Sequence, residues 1–99
     1  MCSLDPEIRR IIEKNIDNAI KSPTEHEEGF KDYLSKLDIE QSIDTVLAFF
    51  AGNLYGIFYS FYINKFKRIP DLEEKIEYQE LMKTWAEELR EAFILTRIK

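Results

Sequence analysis

The sequence has little cysteine, histidine, glycine or proline, and each shortage excludes a class of protein. One cysteine, Cys2, among 99 residues cannot form an intrachain disulfide, which argues against a small secreted scaffold held by disulfides. With a single histidine, His26, the chain has no Cys/His set spaced for a zinc site. Three glycines and three prolines are too few for a low-complexity chain. We therefore predict one ordered domain covering residues 1–99.

Basic charge is also in short supply. Lysine and arginine number 14 against 19 acidic residues, and the resulting net charge of −5 opposes approach to a phosphate backbone. We therefore expect no nucleic-acid partner. The N-terminal residues are polar and turn acidic before any apolar run, unlike a cleavable signal peptide, so we predict a cytoplasmic location. Thirteen isoleucines, thirteen glutamates and nine lysines against two glutamines suggest a heat-adapted source.

Residue patterns that carry catalysis are missing as well. The chain contains no Gly-x-Ser-x-Gly, phosphate-binding loop or dinucleotide fingerprint. Glu25, His26, Glu27 and Glu28 are consecutive, so their side chains splay around a helical turn instead of converging on a metal. We interpret this segment as a solvated acidic helix start and Cys2 as an incidental thiol. The sequence predicts no enzyme, no cofactor and no metal.

What the sequence does contain is helical periodicity throughout. Four helix starts are predicted: Asp5-Pro6, a capping box of Ser22 with Glu25, an N-cap at Asp38, and Asp71 with Glu74. The third helix is predicted over residues 39–67 and the fourth from residue 71 to near the C-terminus. The short connections favour antiparallel neighbours. We predict an all-α, four-helix bundle-like domain in which two short N-terminal helices precede a long antiparallel pair.

Apolar stripes define the predicted core of the three amphipathic helices. They comprise residues Ile8, Ile11, Ile12, Ile16, Ala19 and Ile20 in the first helix, Phe30, Tyr33, Leu34 and Leu37 in the second, and Tyr78, Met82, Trp85, Leu89 and Ala92 in the fourth. In the fourth helix, Ile94, Leu95 and Ile98 leave the main stripe and need separate cover.

The third helix differs from the others because residues 45–64 contain no carboxylate or cationic group. These 20 residues span about 30 Å as a helix, enough to cross a bilayer, so one alternative is a single-span membrane protein. Asn53 near the centre and three tyrosines inside the span argue against insertion, because tyrosine in membrane helices concentrates at the interfaces. We therefore expect this helix to be a buried core helix, as helices that are apolar all round are.

On a helical wheel this third helix has three faces. Valine, leucine, isoleucine and phenylalanine form a broad face, and Tyr55, Tyr59 and Tyr62 lie on an adjacent one. The remaining strip, here named the small ridge, is Ala48, Gly52, Gly56 and Ser60 at every fourth position. Small residues along such a row allow another helix to approach closely. The small ridge is the predicted helix-packing and self-association surface.

Three helices of one chain could surround the third helix, but two of them are short and would be strained to cover nearly thirty residues on all sides. We therefore predict that a homodimer completes the fold. Whether the fourth helix of the same chain or a second copy covers the small ridge stays open. The predicted function is a homo-oligomeric interaction or scaffold module acting through the third helix. Two alternatives stay open. One is a protein that binds a small apolar ligand with Tyr55, Tyr59 and Tyr62 as lining residues. The other is the membrane protein with residues 45–64 in the bilayer.

Overall fold

The structure is a computed structural model that describes residues 4–98; Cys2 and the side chain of Ile98 lie outside what it describes. This range forms four α-helices, α1 (Pro6–Lys21), α2 (Pro23–Lys36), α3 (Ile43–Phe66) and α4 (Leu72–Ile98). No strand occurs among the described residues. The all-α class and the order of two shorter helices before two longer ones are confirmed.

Two of the predicted helix starts have the expected hydrogen bonds. At α1, the Asp5 side chain accepts a hydrogen bond from the Glu7 amide at 2.8 Å, and Pro6 occupies the first helical position. At α4, Asp71 and Glu74 form a reciprocal capping box, with both amide-to-carboxylate distances at 2.8 Å. These bonds satisfy amides that the first turn of a helix leaves without a partner.

At the other two predicted starts, Ser22 is the N-cap of α2 as expected but lacks the predicted capping box, and the predicted start of α3 is wrong. Ser22 makes no side-chain capping bond within residues 4–98, because it also ends α1: its amide donates to the Asn18 carbonyl, and its backbone is not extended. Helix α3 begins at Ile43 instead of residue 39. Its cap is Ser42, whose Oγ accepts from the Thr45 amide at 3.2 Å, whereas Asp38 adopts a left-handed turn conformation.

The four helices pack around one apolar core. The predicted stripe of α1 supplies Ile8, Ile12, Ile16 and Ala19 as fully buried side chains. In α2 the buried residues are Glu27 and Leu34, and the predicted burial of Tyr33 and Leu37 is wrong, since both are about half exposed. Tyr33 lies in the last turn of α2, where its ring stacks against Phe49 with ring centroids 5.3 Å apart, and Leu37 follows the end of the helix.

Helices α3 and α4 lie side by side and run antiparallel. Near the start of α3, the Phe50 ring meets Phe93 of α4 at 6.3 Å, and two turns later Phe58 stacks on Tyr78 at 4.4 Å. Residues later in α3 thus contact residues earlier in α4, as expected for two antiparallel helices. The turn between the two helices is closed by Lys67, which adopts a left-handed conformation and donates its amide to the Ile63 carbonyl.

Candidate functional site: the outer face of helix α3

Two rows of side chains at four-residue spacing define helix α3. The inward row is fully or nearly buried and consists of Val46, Phe50, Leu54, Phe58 and Tyr62. The small ridge runs parallel to it, displaced by two residues at each step. Since consecutive residues turn by about 100°, a displacement of two residues places the small ridge on the opposite side of the helix. Bulky residues therefore face the core, and the small ridge faces outward.

The described part of the chain leaves the small ridge uncovered. Ala48, Gly52, Gly56 and Ser60 are all exposed. A Cβ atom added at Gly52 or Gly56 would meet no heavy atom within 4 Å from any other element of residues 4–98. The expectation that α3 is buried all round is therefore wrong for the single chain, because α1, α2 and α4 all pack on its inner side.

Large apolar side chains flank the small ridge. Tyr55, Ile57 and Ile63 are 41%, 37% and 47% exposed. Within residues 4–98, α3 is the one helix long and apolar enough to cross a membrane, with mean hydropathy 1.5 over its most apolar window. That property is weak support for insertion, because core helices of soluble proteins share it. Only 28% of the window is buried, which leaves an extended apolar face without cover from the described chain.

The two ends of α3 carry opposite charges. Asp38, Glu40 and Asp44 precede or begin the helix, whereas Lys65, Lys67 and Arg68 follow its last apolar turn. Asp44 binds Arg90 of α4 at 2.7 Å and is still 76% exposed. Lys65 bridges Asp5 and Glu7 at 3.2 Å each, and keeps 43% of its side chain exposed. The face between these ends contains no charged group.

The three predicted ligand-lining tyrosines do not form one site. Tyr55 and Tyr59 lie together on the surface, and the Tyr55 hydroxyl donates to the Tyr59 hydroxyl at 3.3 Å. Tyr62 is fully buried on the inward row, where its hydroxyl accepts from the Asp5 amide at 2.9 Å. Burial raises the pKa of Tyr62 to about 12, and the nearby Glu74 carboxylate adds to that rise.

The hydrogen bond between Tyr55 and Tyr59 shifts the pKa values of the two hydroxyls in opposite directions. Donating to Tyr59 raises the pKa of Tyr55, since losing that proton would break the bond. Accepting the bond lowers the pKa of Tyr59, and the Lys75 ammonium lowers it further. Lys75 lies 5.6 Å from the centre of the Tyr59 ring. Tyr59 is thus the acceptor of this cluster, and Tyr55 and Lys75 hold it in place.

A groove of about 960 Å³ runs between α3 and α4 beside the small ridge. Of the three predicted tyrosines only Tyr55 lines it, and α4 contributes Tyr78, which sequence reasoning placed in the core stripe. Tyr78 is 4% exposed, and its hydroxyl has no hydrogen-bond partner among the described residues. Helical periodicity predicts burial of the ring but carries no information about the partner of the hydroxyl.

His26 lies partly inside the fold instead of on a solvated helix start. Its Nδ1 is 3.0 Å from the Ser22 carbonyl oxygen, and its ring meets Phe30 and Phe50 edge-on at 6.2 and 6.4 Å. Across residues 4–98, no three histidine, cysteine, aspartate or glutamate side chains come together as a metal site.

Comparison with known proteins gives no relative from which a function could be transferred: no family model, no curated protein and no solved structure matches the chain.

Proposed function

We propose that this protein is a soluble, non-catalytic interaction module that forms a homodimer through the outer face of α3. The uncovered small ridge is the observation that carries the proposal. A glycine in a helix interior costs about 1 kcal/mol relative to alanine. Gly52 and Gly56 have open space where a side chain would stand, so the rest of the described chain supplies no steric reason for them. A helix of a second copy lying on the small ridge supplies that reason.

The small ridge is self-complementary about its midpoint. A two-fold axis between Gly52 and Gly56 pairs two antiparallel α3 helices, so that Gly52 faces Gly56 of the partner subunit and Ala48 faces the partner's Ser60. In an interface of this symmetry, each such pair occurs twice. The flanking Tyr55 and Ile57 then border a seam in which the two backbones approach closely.

Charge supports the antiparallel arrangement. Asp44 and the last basic cluster, Lys65 to Arg68, lie at nearly equal distances from the same midpoint. Pairing the helices antiparallel brings the acidic start of each α3 toward the basic end of the other, and the helix dipoles are also opposed favourably. A parallel pairing would place like charges together at both ends.

The arrangement of α4 favours a second copy over a bilayer as the cover. Lys83 and Glu87 border the groove that Ala48 and Gly52 line from the other side, so these charges lie beside the first half of the apolar length of α3. Inserting α3 into a membrane would draw them into the hydrocarbon, where charged side chains are expensive. A protein partner on the small ridge leaves the charged ends of these side chains in water.

Mass in solution tests the proposal, measured by sedimentation or light scattering over a wide concentration range. We expect twice the 11.8 kDa chain for the wild type. Gly56→Leu overfills the seam and is expected to weaken the dimer at least tenfold. Gly29→Leu is the matched control, because Gly29 is also an exposed helical glycine but lies on α2. A wild type of 11.8 kDa at millimolar concentration contradicts the proposal, as does a Gly56→Leu dimer of unchanged affinity.

A further inference from the structure

The groove between α3 and α4 is built by small residues on both helices. Ala48, Ala51 and Gly52 line it on α3 and Ala86 on α4, so the two helices leave a gap where larger side chains would meet. Along α4 the lining extends from Tyr78 to Arg90, about 18 Å at the helical rise. All the lining residues belong to one chain, but Ala48 and Gly52 are also part of the small ridge, so the groove is tested in a variant that weakens the dimer as well as in the wild type.

The inner wall of the groove is apolar. Phe50 and Leu89 are buried and Leu47 and Met82 are partly buried, so the groove offers an elongated apolar surface. Its volume of about 960 Å³ lies at the upper end of the range for small-molecule sites.

One polar group at the groove is left without a partner. Tyr78 is held by stacking on Phe58 at 4.4 Å and by contact with Tyr55 at 5.7 Å. Its buried hydroxyl makes no hydrogen bond within the described chain, although buried polar groups in proteins almost always do. The Tyr55 hydroxyl is not its partner, and is instead 3.3 Å from the Tyr59 hydroxyl. Burial raises the pKa of Tyr78, so the hydroxyl keeps its proton and can donate.

The charges at the groove argue against an ionic ligand. Arg90 is paired with Asp44 at 2.7 Å, and Lys83 lies 4.0 Å from Glu80 with 77% of its side chain exposed. Glu87 also borders the groove, so cations and carboxylates offset each other at the rim. A charged head group would leave water without gaining an unopposed counter-charge.

We propose that the groove between α3 and α4 binds an uncharged, elongated apolar molecule that carries one oxygen acceptor, of the class of long-chain alcohols and ketones, and that the Tyr78 hydroxyl donates to that oxygen. A helix of another protein satisfies the site less well, because its backbone carbonyls are already bonded within the helix. The chain of the ligand lies along Leu47, Phe50 and Met82.

Titration of 1-decanol, decanoate and decyltrimethylammonium into the full-length protein tests the proposal, with calorimetry and Tyr ring chemical shifts as readouts. We expect saturable binding of one decanol per chain, with both charged probes at least tenfold weaker. Tyr78→Phe keeps the ring and removes the donor, so decanol affinity is expected to fall about five- to tenfold, the factor for one hydrogen bond.

Ala86→Trp fills the groove and is expected to abolish binding, whereas Thr84→Trp, at an exposed position of α4 outside the groove lining, leaves it unchanged. Equal decanol affinity in Tyr78→Phe and wild type overturns the proposal. So does tighter binding of either charged probe, or unchanged binding in Ala86→Trp. Decanol binding measured in Gly56→Leu separates this result from the dimer proposal, because Gly56 does not line the groove and the variant weakens the dimer that would cover Ala48 and Gly52.

Discussion

The Arg68 guanidinium binds the Glu74 carboxylate through both of its terminal nitrogens, at 2.8 and 3.1 Å, across the turn between α3 and α4. Glu74 also accepts the Asp71 amide, so a single buried carboxylate holds the end of one long helix to the start of the next. Two-point binding of this kind is among the strongest side-chain interactions because donor and acceptor geometries match. This junction joins the two antiparallel helices at the turn between them.

Replacing Glu74 with glutamine is therefore expected to lower the free energy of unfolding by about 2–3 kcal/mol. The substitution keeps the size of the side chain but leaves Arg68 without its carboxylate. Urea denaturation measures the change. Glu73→Gln is the control, since Glu73 is exposed at the neighbouring position and is expected to stay within about 0.5 kcal/mol of wild type. Equal losses in the two variants would contradict the assigned role.

Low pH should remove the stabilisation that the ionised Glu74 carboxylate provides. Arg68, with the Asp71 amide, holds the pKa of Glu74 at about 2, below its ordinary value of 4.5. A carboxyl group whose pKa falls on folding stabilises the fold at pH above the ordinary value, and this stabilisation disappears as pH decreases through the folded value. We expect the free energies of unfolding of wild type and Glu74→Gln to differ most above about pH 5 and to converge near pH 2. A constant difference over this range would refute the linkage.

Removing the hydroxyl groups of the two buried tyrosines, one at a time, should change the free energy of unfolding in opposite directions. Tyr62 accepts a hydrogen bond from the Asp5 amide, so Tyr62→Phe is expected to lower the free energy of unfolding by about 1 kcal/mol. The Tyr78 hydroxyl is buried without a partner in the described chain, so Tyr78→Phe is expected to raise it by about 1 kcal/mol. Thermal unfolding of both variants, without added ligand, measures the two signs. A destabilised Tyr78→Phe protein would show that the hydroxyl is bonded after all.

The melting temperature should depend on protein concentration. If a second copy covers α3, mass action stabilises the folded wild type as concentration rises. Gly56→Leu should remove that dependence and, at high dilution, melt above the wild type, because leucine is about 0.8–1 kcal/mol more favourable in an uncovered helix than glycine. Gly29→Leu should gain stability at every concentration and keep the dependence. Concentration-independent melting of the wild type would count against self-association.

N-capping residues in the sequence predicted the starts of helices where only one capping arrangement was favourable. Asp5 before Pro6, and Asp71 three residues before Glu74, each leave one favourable arrangement, and the structure contains both. Ser22 is also a favourable N-cap residue, but α1 continues until that residue and determines its backbone conformation. A capping motif thus predicts a hydrogen bond only where the preceding chain is free to adopt an extended conformation.

The orientation of α3 was harder to predict because its sequence has no polar face. Tyr62 was assigned to a tyrosine side with Tyr55 and Tyr59, yet it is fully buried on the row of Phe58. A phenol is apolar enough for either position, and only the Asp5 amide, from a segment 57 residues away in sequence, makes the inward position favourable. By contrast, the small ridge could be found from the four-residue spacing alone.

Gly52 and Gly56 leave the peptide groups on the outer side of α3 without side-chain shielding. Water reaches that backbone directly, so its amide hydrogens should exchange with deuterium faster than those beside the inward row, where opening requires the core to separate. Any molecule that lies on the small ridge excludes this water and slows exchange over residues 52–60. Deuterium uptake at the amides of Gly52 and Gly56 therefore measures what fraction of the time the outer face of α3 is covered.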